Sequence, residues 1–320
     1  MTFRNILRLV AIWLVFITGS GRLLAQTSDP IISYLTGTDK GTQFNLMDLN
    51  TGEIRKIDLG IEPIYGYDWS PDGKQIALDD GHDVYVVSAD GSGLQPLTHS
   101  TAQVVYTAPA WSPDGTQIGL VEWTDGQARL AVMNSDGSNF RRLMAQADIV
   151  RGPLKWSPDG KYLAANSVAS VVLESFVIDV PVCLQTPDQC RDSGITLSGA
   201  ISDWSPNGRR MLVSTNGKFS SSLSINEIAV QLADATCQKQ PLVPCAAGLS
   251  LTLNTHWVKG AVNTVYPYDS DGHWSADGNQ IVFVSNRTGT AQVYVIDADG
   301  SHLRQLTHDS LAYAPRWQPA

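Results

Sequence analysis

The sequence predicts an all-β protein, a six-bladed β-propeller made of four-stranded antiparallel blades. Three observations support this fold class. A short motif that starts with Trp recurs at a spacing of 42–48 residues, which is the length of one blade. Each unit holds four short apolar runs divided by turn residues. The two ends of the chain carry complementary parts of one more unit.

The recurring motif is Trp-Ser-Pro-Asp-Gly, and one interval, from Trp204 to Trp274, is longer at 70 residues. Pro presets the φ of a tight turn, and Gly accepts the left-handed φ that ends it. We therefore expect the Asp carboxylates to shape turns and the Trp side chains to pack between blades. Identical copies occupy residues 69–73, 111–115 and 156–160, variant copies with Asn207 and Ala276 occupy 204–208 and 274–278, and a truncated copy lies at 317–319.

Each unit repeats the same order of strands and turns. In the first full unit, the strand with Trp69 is followed by apolar runs at 75–78, 84–87 and 94–98. The last two runs are joined through Asp90-Gly91, and Asp-Gly between short strands favours a hairpin. Four strands per unit are typical of a propeller blade.

Closure of the ring is predicted from the two chain ends. Three strand-like runs at 31–35, 44–48 and 53–57 lack a preceding Trp strand, whereas 314–317 is a Trp strand with nothing after it. Pairing of these N- and C-terminal strands would complete the first blade and remove the last open sheet edges. The predicted domain is a six-bladed propeller over residues 26–320.

Residues 1–25 resemble a signal peptide. Arg4 and Arg8 precede the apolar stretch 9–17, which is too short for an ordinary membrane span. Leu23 makes the pattern before a cut after Ala25 imperfect, so an uncleaved anchor is the alternative. We expect an exported protein, periplasmic or extracellular, with no membrane domain beyond this segment.

The four Cys residues form two close pairs, Cys183 with Cys190 and Cys237 with Cys245. In an exported protein such spacing favours two short-loop disulfides. Zinc binding is the alternative, but the spacings are wide for a structural zinc site and no His lies close to either pair.

Composition excludes some partners. The formal net charge is −9, so the chain would repel a phosphate backbone, and nucleic acid is not an expected partner. No G-x-S-x-G, P-loop or H-E-x-x-H motif occurs in the sequence. Asp-Gly turns such as 297–300 lack the spacing of a calcium loop. We expect a monomer without a cofactor.

Two groups of residues are candidates for partner binding. The first lies just before each Trp, near the predicted channel, where Asp68, Asp203 and His273 would bind a polar ligand. The alternative is that these are solvent-exposed positions that tolerate variation. The second is Trp257, Tyr266 and Tyr268 in the long segment before Trp274, because interfaces favour Trp and Tyr. The alternative is that these three aromatic side chains only hold the loop in place.

The pentapeptides, together with the downstream Asp-Gly-Ser and Leu-Thr, resemble the WD40-like repeats of the TolB propeller family over residues 31–320. The resemblance implies a propeller that binds partner proteins at its face and central channel. Its namesake is periplasmic and has a separate α/β domain ahead of the propeller. Strands here begin by residue 31, so we expect that domain to be missing. Similar propellers cap prolyl-oligopeptidase-type peptidases, and we expect no room here for their hydrolase domain.

These observations predict a non-catalytic extracytoplasmic propeller that binds or scaffolds a protein or glycan partner through one face or the central channel. The alternative is a propeller hydrolase of glycosidase or lactonase type with a site at the channel mouth, where Asp68, Asp203 and His273 would act. A purely structural envelope component is a third hypothesis.

Overall fold

The computed structural model describes residues 30–38, 41–144, 152–167, 174–187, 190, 195–216, 223–229, 249–251, 258–259, 264–265, 268–308 and 311–320. These residues form an all-β propeller of antiparallel sheets with one short helix. Within the described ranges there are six four-stranded sheets and one two-stranded sheet. The predicted signal segment 1–25, Cys237, Cys245, Trp257 and Tyr266 lie outside the described residues.

Sheet 1 joins both ends of the described chain. Its strand order is β26-β1-β2-β3, and Ile32 of β1 lies opposite Trp317 of β26. The register shifts once between Ser33 and Leu35. Its strands are β1 (Ile31–Thr38), β2 (Gly41–Asp48), β3 (Ile54–Ile57) and β26 (Ala312–Trp317).

Sheets 2 and 3 each run in simple chain order through four antiparallel strands. Sheet 2 contains β4 (Gly66–Trp69), β5 (Gln75–Asp79), β6 (Val84–Ser88) and β7 (Gln95–Pro96). Sheet 3 contains β8 (Val104–Trp111), β9 (Gln117–Thr124), β10 (Gln127–Asn134) and β11 (Arg141–Arg142).

The remaining sheets follow the same order. Sheet 4 contains β12 (Lys155–Trp156), β13 (Tyr162–Ser167), β14 (Glu174–Asp179) and β15 (Ile195–Ser198). Sheet 5 contains β16 (Ala200–Trp204), β17 (Arg210–Asn216), β18 (Leu223–Ala229) and β19 (Leu249–Ser250). The two-stranded sheet contains β20 (Val258–Lys259) and β21 (Thr264–Val265). Sheet 6 contains β22 (Asp269–Trp274), β23 (Gln280–Ser285), β24 (Gln292–Asp297) and β25 (Arg304–Gln305).

The helix α1 (Val180–Gln185) begins directly after β14. The Asp179 carboxylate caps it by accepting a hydrogen bond from the Val182 amide at 3.0 Å. Cys183 on this helix forms a disulfide with Cys190, which confirms that predicted pair. Both cysteines are fully buried in a cluster that packs against sheets 3 and 4.

The Ser-Pro-Asp-Gly segments are turns, as their sequence predicts. In the first copy the Ser70 hydroxyl donates to Asp72 at 2.8 Å and accepts from the Gln75 amide at 2.9 Å. The hydrogen bonds from Ser70 and Lys74 hold the pKa of Asp72 below its ordinary value. The same Ser bond recurs in the other full copies, to an Asp in three of them and to Asn207 in the fourth, so these side chains have a structural role.

The repeated Trp side chains pack between neighbouring sheets. The indole N–H of Trp156 donates to the Ala110 carbonyl of sheet 3 at 3.1 Å, and that of Trp204 donates to the Lys155 carbonyl of sheet 4 at 3.3 Å. Trp317 donates in the same way to the His273 carbonyl of sheet 6 at 3.0 Å. Each of these three indoles therefore ties its own sheet to the preceding one.

The turns also contact one another from sheet to sheet. A side chain placed on the Gly of one turn would lie within 4 Å of the Pro ring of the preceding turn. These pairs are Pro71 with Gly115, Pro113 with Gly160, Pro158 with Gly208, and Pro206 with Gly278. A Cβ on Gly73 would instead clash with the carbonyl oxygen of Pro319, the Pro of the truncated copy.

The described part of the chain contains no helix that is long and apolar enough to cross a membrane.

Candidate functional site

A cavity of about 910 Å³, here called the inter-sheet cavity, is lined by residues of all six four-stranded sheets. Every sheet contributes the residue that stands three positions before its Trp. In chain order these residues are Gly66, Ala108, Pro153, Ile201, Asp271 and Ala314. Asp271 is the one ionisable side chain of this set, because the other five are small or apolar. The volume falls in the range of small-ligand pockets.

Local backbone geometry places these residues at the cavity. Ala108, Asp271 and Ala314 have φ values of 55°, 52° and 50°, in the left-handed region. Register shifts occur at the corresponding points of the strand pairs that contain them. A β-bulge bends its strand and re-aims the side chains around it. The innermost strands of sheets 3, 6 and 1 therefore bend where they meet the cavity.

Tyrosines supply most of the aromatic surface of the cavity. Tyr65, Tyr67, Tyr268 and Tyr313 all line it. Tyr65 is 69% exposed, and Leu311, another lining residue, is 51% exposed. We call these two the rim residues. Exposed large apolar side chains beside a cavity mark a surface suited to contact with a partner.

Five of the six residues that stand immediately before a repeat Trp, all except Ala110, take part in an ion network. In its first part, Lys155 Nζ lies 3.4 Å from Asp68 Oδ1, and the other oxygen of Asp68 accepts the Trp111 amide at 2.9 Å. Lys155 is buried and Asp68 is partly buried. This carboxylate therefore already has a cationic partner and a backbone donor.

The second part of the network centres on His273, which is buried between two carboxylates. Its Nε2 lies 3.0 Å from Asp271 Oδ1 and its Nδ1 lies 3.5 Å from Asp203 Oδ2. Arg316 Nη1 contacts Asp271 at 3.1 Å, and the guanidinium carbon lies 5.7 Å from the centre of the Tyr67 ring. This network links the innermost strands of sheets 5, 6 and 1.

Electrostatics keep both of these carboxylates ionised. Burial alone would raise the pKa of Asp203, but its hydrogen bond with His273 and the nearby charges lower it. Burial acts in the same direction on Asp271, and Arg316 and His273 hold its pKa well below the usual range. Burial raises the pKa of the Tyr67 hydroxyl, which therefore stays protonated.

Asp79 lies on the wall of the same cavity and has a different environment. It is 2% exposed, and its carboxylate accepts the amides of Gly81 and Ala108, each at 3.1 Å. Burial raises its pKa to about 7, although the two backbone hydrogen bonds oppose this. No cation pairs with it among the described residues. The absence of a side chain at Gly66 makes room for this group, because a Cβ there would lie 2.8 Å from Asp79 Oδ2.

The sequence-predicted candidates fall in three places. Asp68, Asp203 and His273 belong to the ion network, so the alternative that they are solvent-exposed positions is wrong, since His273 is buried and both acids are partly buried and paired. Tyr268 lines the cavity and is half-buried, with its amide bonded to Asn286 at 2.8 Å. Trp257 and Tyr266 lie outside the described residues.

Sequence analysis did not single out Asp79 or Asp271. Asp271 stands two residues before His273, on the same strand as the predicted His, so strand alternation would have placed the two on one face. Asp79 is the last residue of its strand, and the equivalent residues of two other units, at positions 121 and 284, are Val. An acid in place of an apolar residue was the sequence signal that could have identified Asp79. Within the described ranges, no cluster of three or more His, Cys, Asp or Glu is arranged to hold a metal ion.

The fold and the cavity define a β-propeller with a ligand-sized cavity at the meeting point of its sheets. The sequence model of the TolB beta propeller domain family matches residues 27–240, more than half of the chain. The protein therefore belongs to the TolB beta propeller domain family.

Two relatives each match part of the chain. A protein described as a TolB homolog from Chlorobium luteolum is 31% identical over 134 residues, covering 40% of this chain and 28% of that protein. Dipeptidyl-peptidase 5 of Porphyromonas endodontalis is 28% identical over 151 residues, covering 44% of this chain and 21% of that protein. The matched part thus spans less than a third of either relative.

Among solved structures, TolB from Acinetobacter baumannii matches with a TM-score of 0.65 and 16% identity. The match covers 92% of this chain and 68% of that one. At this identity the likeness shows a shared fold.

Proposed function

We propose that this protein is a non-catalytic extracytoplasmic propeller that binds a protein or glycan partner through the face on which the inter-sheet cavity opens. The observation that carries the proposal is the cavity itself, with four lining tyrosines and two exposed rim residues, Tyr65 and Leu311. Rigid cavities with aromatic walls and few polar groups are suited to ligand binding. Its family includes proteins described as TolB homologs.

The proposed architecture is a closed ring of six blades, one for each four-stranded sheet. Support comes from the seam between the chain ends, where β26 pairs with β1 and Pro319 contacts Gly73 of sheet 2. One apolar cluster joins sheet 1 to sheet 2, and another joins sheet 1 to sheet 6. A closed ring holds a central site rigid because each blade packs against a neighbour on both sides. The pairing of β26 with β1 completes sheet 1 within one chain, so the seam needs no second copy, which supports a monomer.

The proposed location is the periplasm or the extracellular space. The Cys183–Cys190 disulfide supports it, because disulfides persist in oxidising compartments. The basic and apolar pattern of residues 1–25 is the second support.

The non-catalytic role rests on the ion network. Asp68 and Asp203 would be the acids of a glycosidase-like site, yet Asp68 is bonded to Lys155 and Asp203 to His273. A neighbouring cation favours the charged form of the pKa-lowered Asp203, which makes this carboxylate poorly suited to act as a general acid. A hydrolase of glycosidase or lactonase type is the second candidate function, because an Asp203 carboxylate next to His273 could still act as a general base, although not as a general acid.

The test compares two leucines of similar exposure. Leu311 on the rim is 51% exposed and Leu303, which does not line the cavity, is 44% exposed. Wild type, Leu311→Ser, Leu303→Ser and Tyr268→Ala would each be used to capture partners from the native extracytoplasmic fraction after crosslinking. We expect Leu311→Ser and Tyr268→Ala to lose the partner and Leu303→Ser to keep it.

Equal capture by all four proteins would contradict binding at this face. Turnover by the purified wild type on a panel of glycans and lactones, abolished by Asp203→Asn, would instead support the hydrolase.

A further inference from the structure

Asp79 differs from the other deeply buried acids of the described structure. Glu122 forms two hydrogen bonds with Arg142, at 2.6 and 2.8 Å, and is 2% exposed. Asp269 is fully buried and bonded to Arg287 at 3.0 Å. Asp79 is buried to the same degree, yet no cation reaches it among the described residues. A buried carboxylate without a cationic partner destabilises a fold, so packing does not explain an acid at this position.

The structural work of Asp79 does not need its charge. Its Oδ2 accepts the amide of Ala108, which ties sheet 2 to sheet 3. Asn166 occupies the corresponding strand position of sheet 4, and its Oδ1 accepts the amide of Ile201 at 2.8 Å, tying sheet 4 to sheet 5. Ala108 and Ile201 are themselves equivalent, each three residues before a Trp. A neutral amide therefore performs the same connection in another part of the same protein.

The inter-sheet cavity, whose wall Asp79 joins, is suited to an alkyl ammonium group. The cavity wall is largely apolar and includes Ile201, Val284 and Leu311, while Tyr67, Tyr268 and Tyr313 contribute aromatic rings. Apolar walls favour the methylene stem of a lysine and offer few partners for the many hydroxyls of a sugar.

A second residue of the cavity wall carries a buried polar group without a partner among the described residues. The Ser214 hydroxyl lines the cavity, is buried, and has no hydrogen-bond partner among the described residues. It comes from sheet 5, whereas Asp79 comes from sheet 2, so a bound segment would be contacted from two separate sheets.

We propose that the inter-sheet cavity receives the protonated side chain of a lysine from a peptide segment of the partner, with the Asp79 carboxylate as the acceptor of its ammonium group. This inference rests on the proposed function, because it assigns the chemistry of a ligand at the same cavity. The ammonium would supply the positive charge that other buried acids obtain from Arg or Lys.

The test uses a defined peptide. Saturation-transfer NMR would measure binding of acetyl-Ala-Lys-Ala-amide, the same peptide with acetylated lysine, and glucosamine as an amino-sugar amine. The proteins would be wild type, Asp79→Asn and Asp90→Asn, the last removing a charge from an exposed turn. Asp79→Asn keeps a side-chain oxygen that can accept the Ala108 amide, as the Asn166 oxygen accepts the Ile201 amide. Circular dichroism would check that both variants are folded.

We expect the lysine peptide to bind wild type and Asp90→Asn equally, and to bind Asp79→Asn about ten- to a hundredfold more weakly. The acetylated peptide should bind wild type no better than it binds Asp79→Asn. Equal affinity of the lysine peptide for wild type and Asp79→Asn would overturn the inference. If glucosamine binds wild type and the lysine peptide does not, the assignment to a peptide would be overturned.

The partner-capture experiment separates this inference from the proposed function. If Asp79→Asn captures the partner as well as wild type while Leu311→Ser does not, the partner docks at the rim without using Asp79. The proposed function would then stand and the lysine assignment would fail. Loss of capture by both variants supports both.

Discussion

Replacing Asp79 with Asn should stabilise the folded protein at neutral and alkaline pH. The side chain is almost completely buried, and the charged group acting on it is the adjacent Asp80, which disfavours ionisation further. Asn keeps an oxygen that can accept the Ala108 amide, as Asn166 does for Ile201, while the Gly81 amide loses its acceptor at every pH. The substitution therefore removes a costly charge and preserves the connection between sheets 2 and 3.

The size of the effect follows from the pKa. Burial raises the pKa of Asp79 from 3.8 to about 7. Each pKa unit corresponds to about 1.4 kcal/mol, so ionisation costs the folded state at most about 4 kcal/mol. Between these two pKa values the folded protein holds a proton that the unfolded chain has released, so this group's contribution to stability falls as pH rises from about 4 to about 7. Above about pH 7 it stays constant.

Urea denaturation of wild type and Asp79→Asn at pH 5 and pH 8 checks this prediction. The stability advantage of Asp79→Asn should grow by about 3 kcal/mol between the two conditions, because most of the titration lies in that interval. Asp90→Asn is the matched control, since Asp90 is exposed and its substitution should change stability little at either pH. An advantage that is the same at pH 5 and pH 8 would refute the assignment of a raised pKa to Asp79.

Two further predictions concern the seam and the disulfide. Gly73→Ala should destabilise the protein by about 1–2 kcal/mol more than Gly126→Ala, because both residues have positive φ but only Gly73 faces a carbonyl, that of Pro319. Equal urea midpoints for the two variants would count against a tight seam. Replacing both Cys183 and Cys190 by Ala should cost about 2–3 kcal/mol in the absence of reductant. Reductant should bring wild type close to the variant, and a variant as stable as oxidised wild type would contradict this prediction.

The turns and strands of the fold were predictable because the sequence motifs that determine them are local and repeated. Each Ser-Pro-Asp-Gly turn is closed by bonds within six residues, so the motif alone located the turns and the strands beside them. The helix Val180–Gln185 was missed, although Asp179 followed by Pro181 is an ordinary helix start. The Cys183–Cys190 pairing followed from spacing, whereas the location of the helix that carries Cys183 did not.

The site was less predictable because its chemistry depends on contacts between sheets. Sequence placed Asp68, Asp203 and His273 near the channel, but their pairing depends on how neighbouring sheets meet. The left-handed backbone at Asp271 carries no signature in the residue type, since Asp is tolerated there without being required. The importance of Asp79 lies in the lack of a nearby cation, and a single strand read in isolation cannot reveal that.

A repeat protein offers its own comparison for separating structural from functional residues. Positions 79 and 166 have the same place in sheets 2 and 4 and make the same bond to the next sheet, so the difference between acid and amide is not required by the frame. The charged residues before each Trp behave in the opposite way, since their charges are balanced by one another. A charge that the frame neutralises can be explained by packing alone. A charge that the fold leaves buried and unbalanced lowers stability, so packing alone does not explain an acid at position 79.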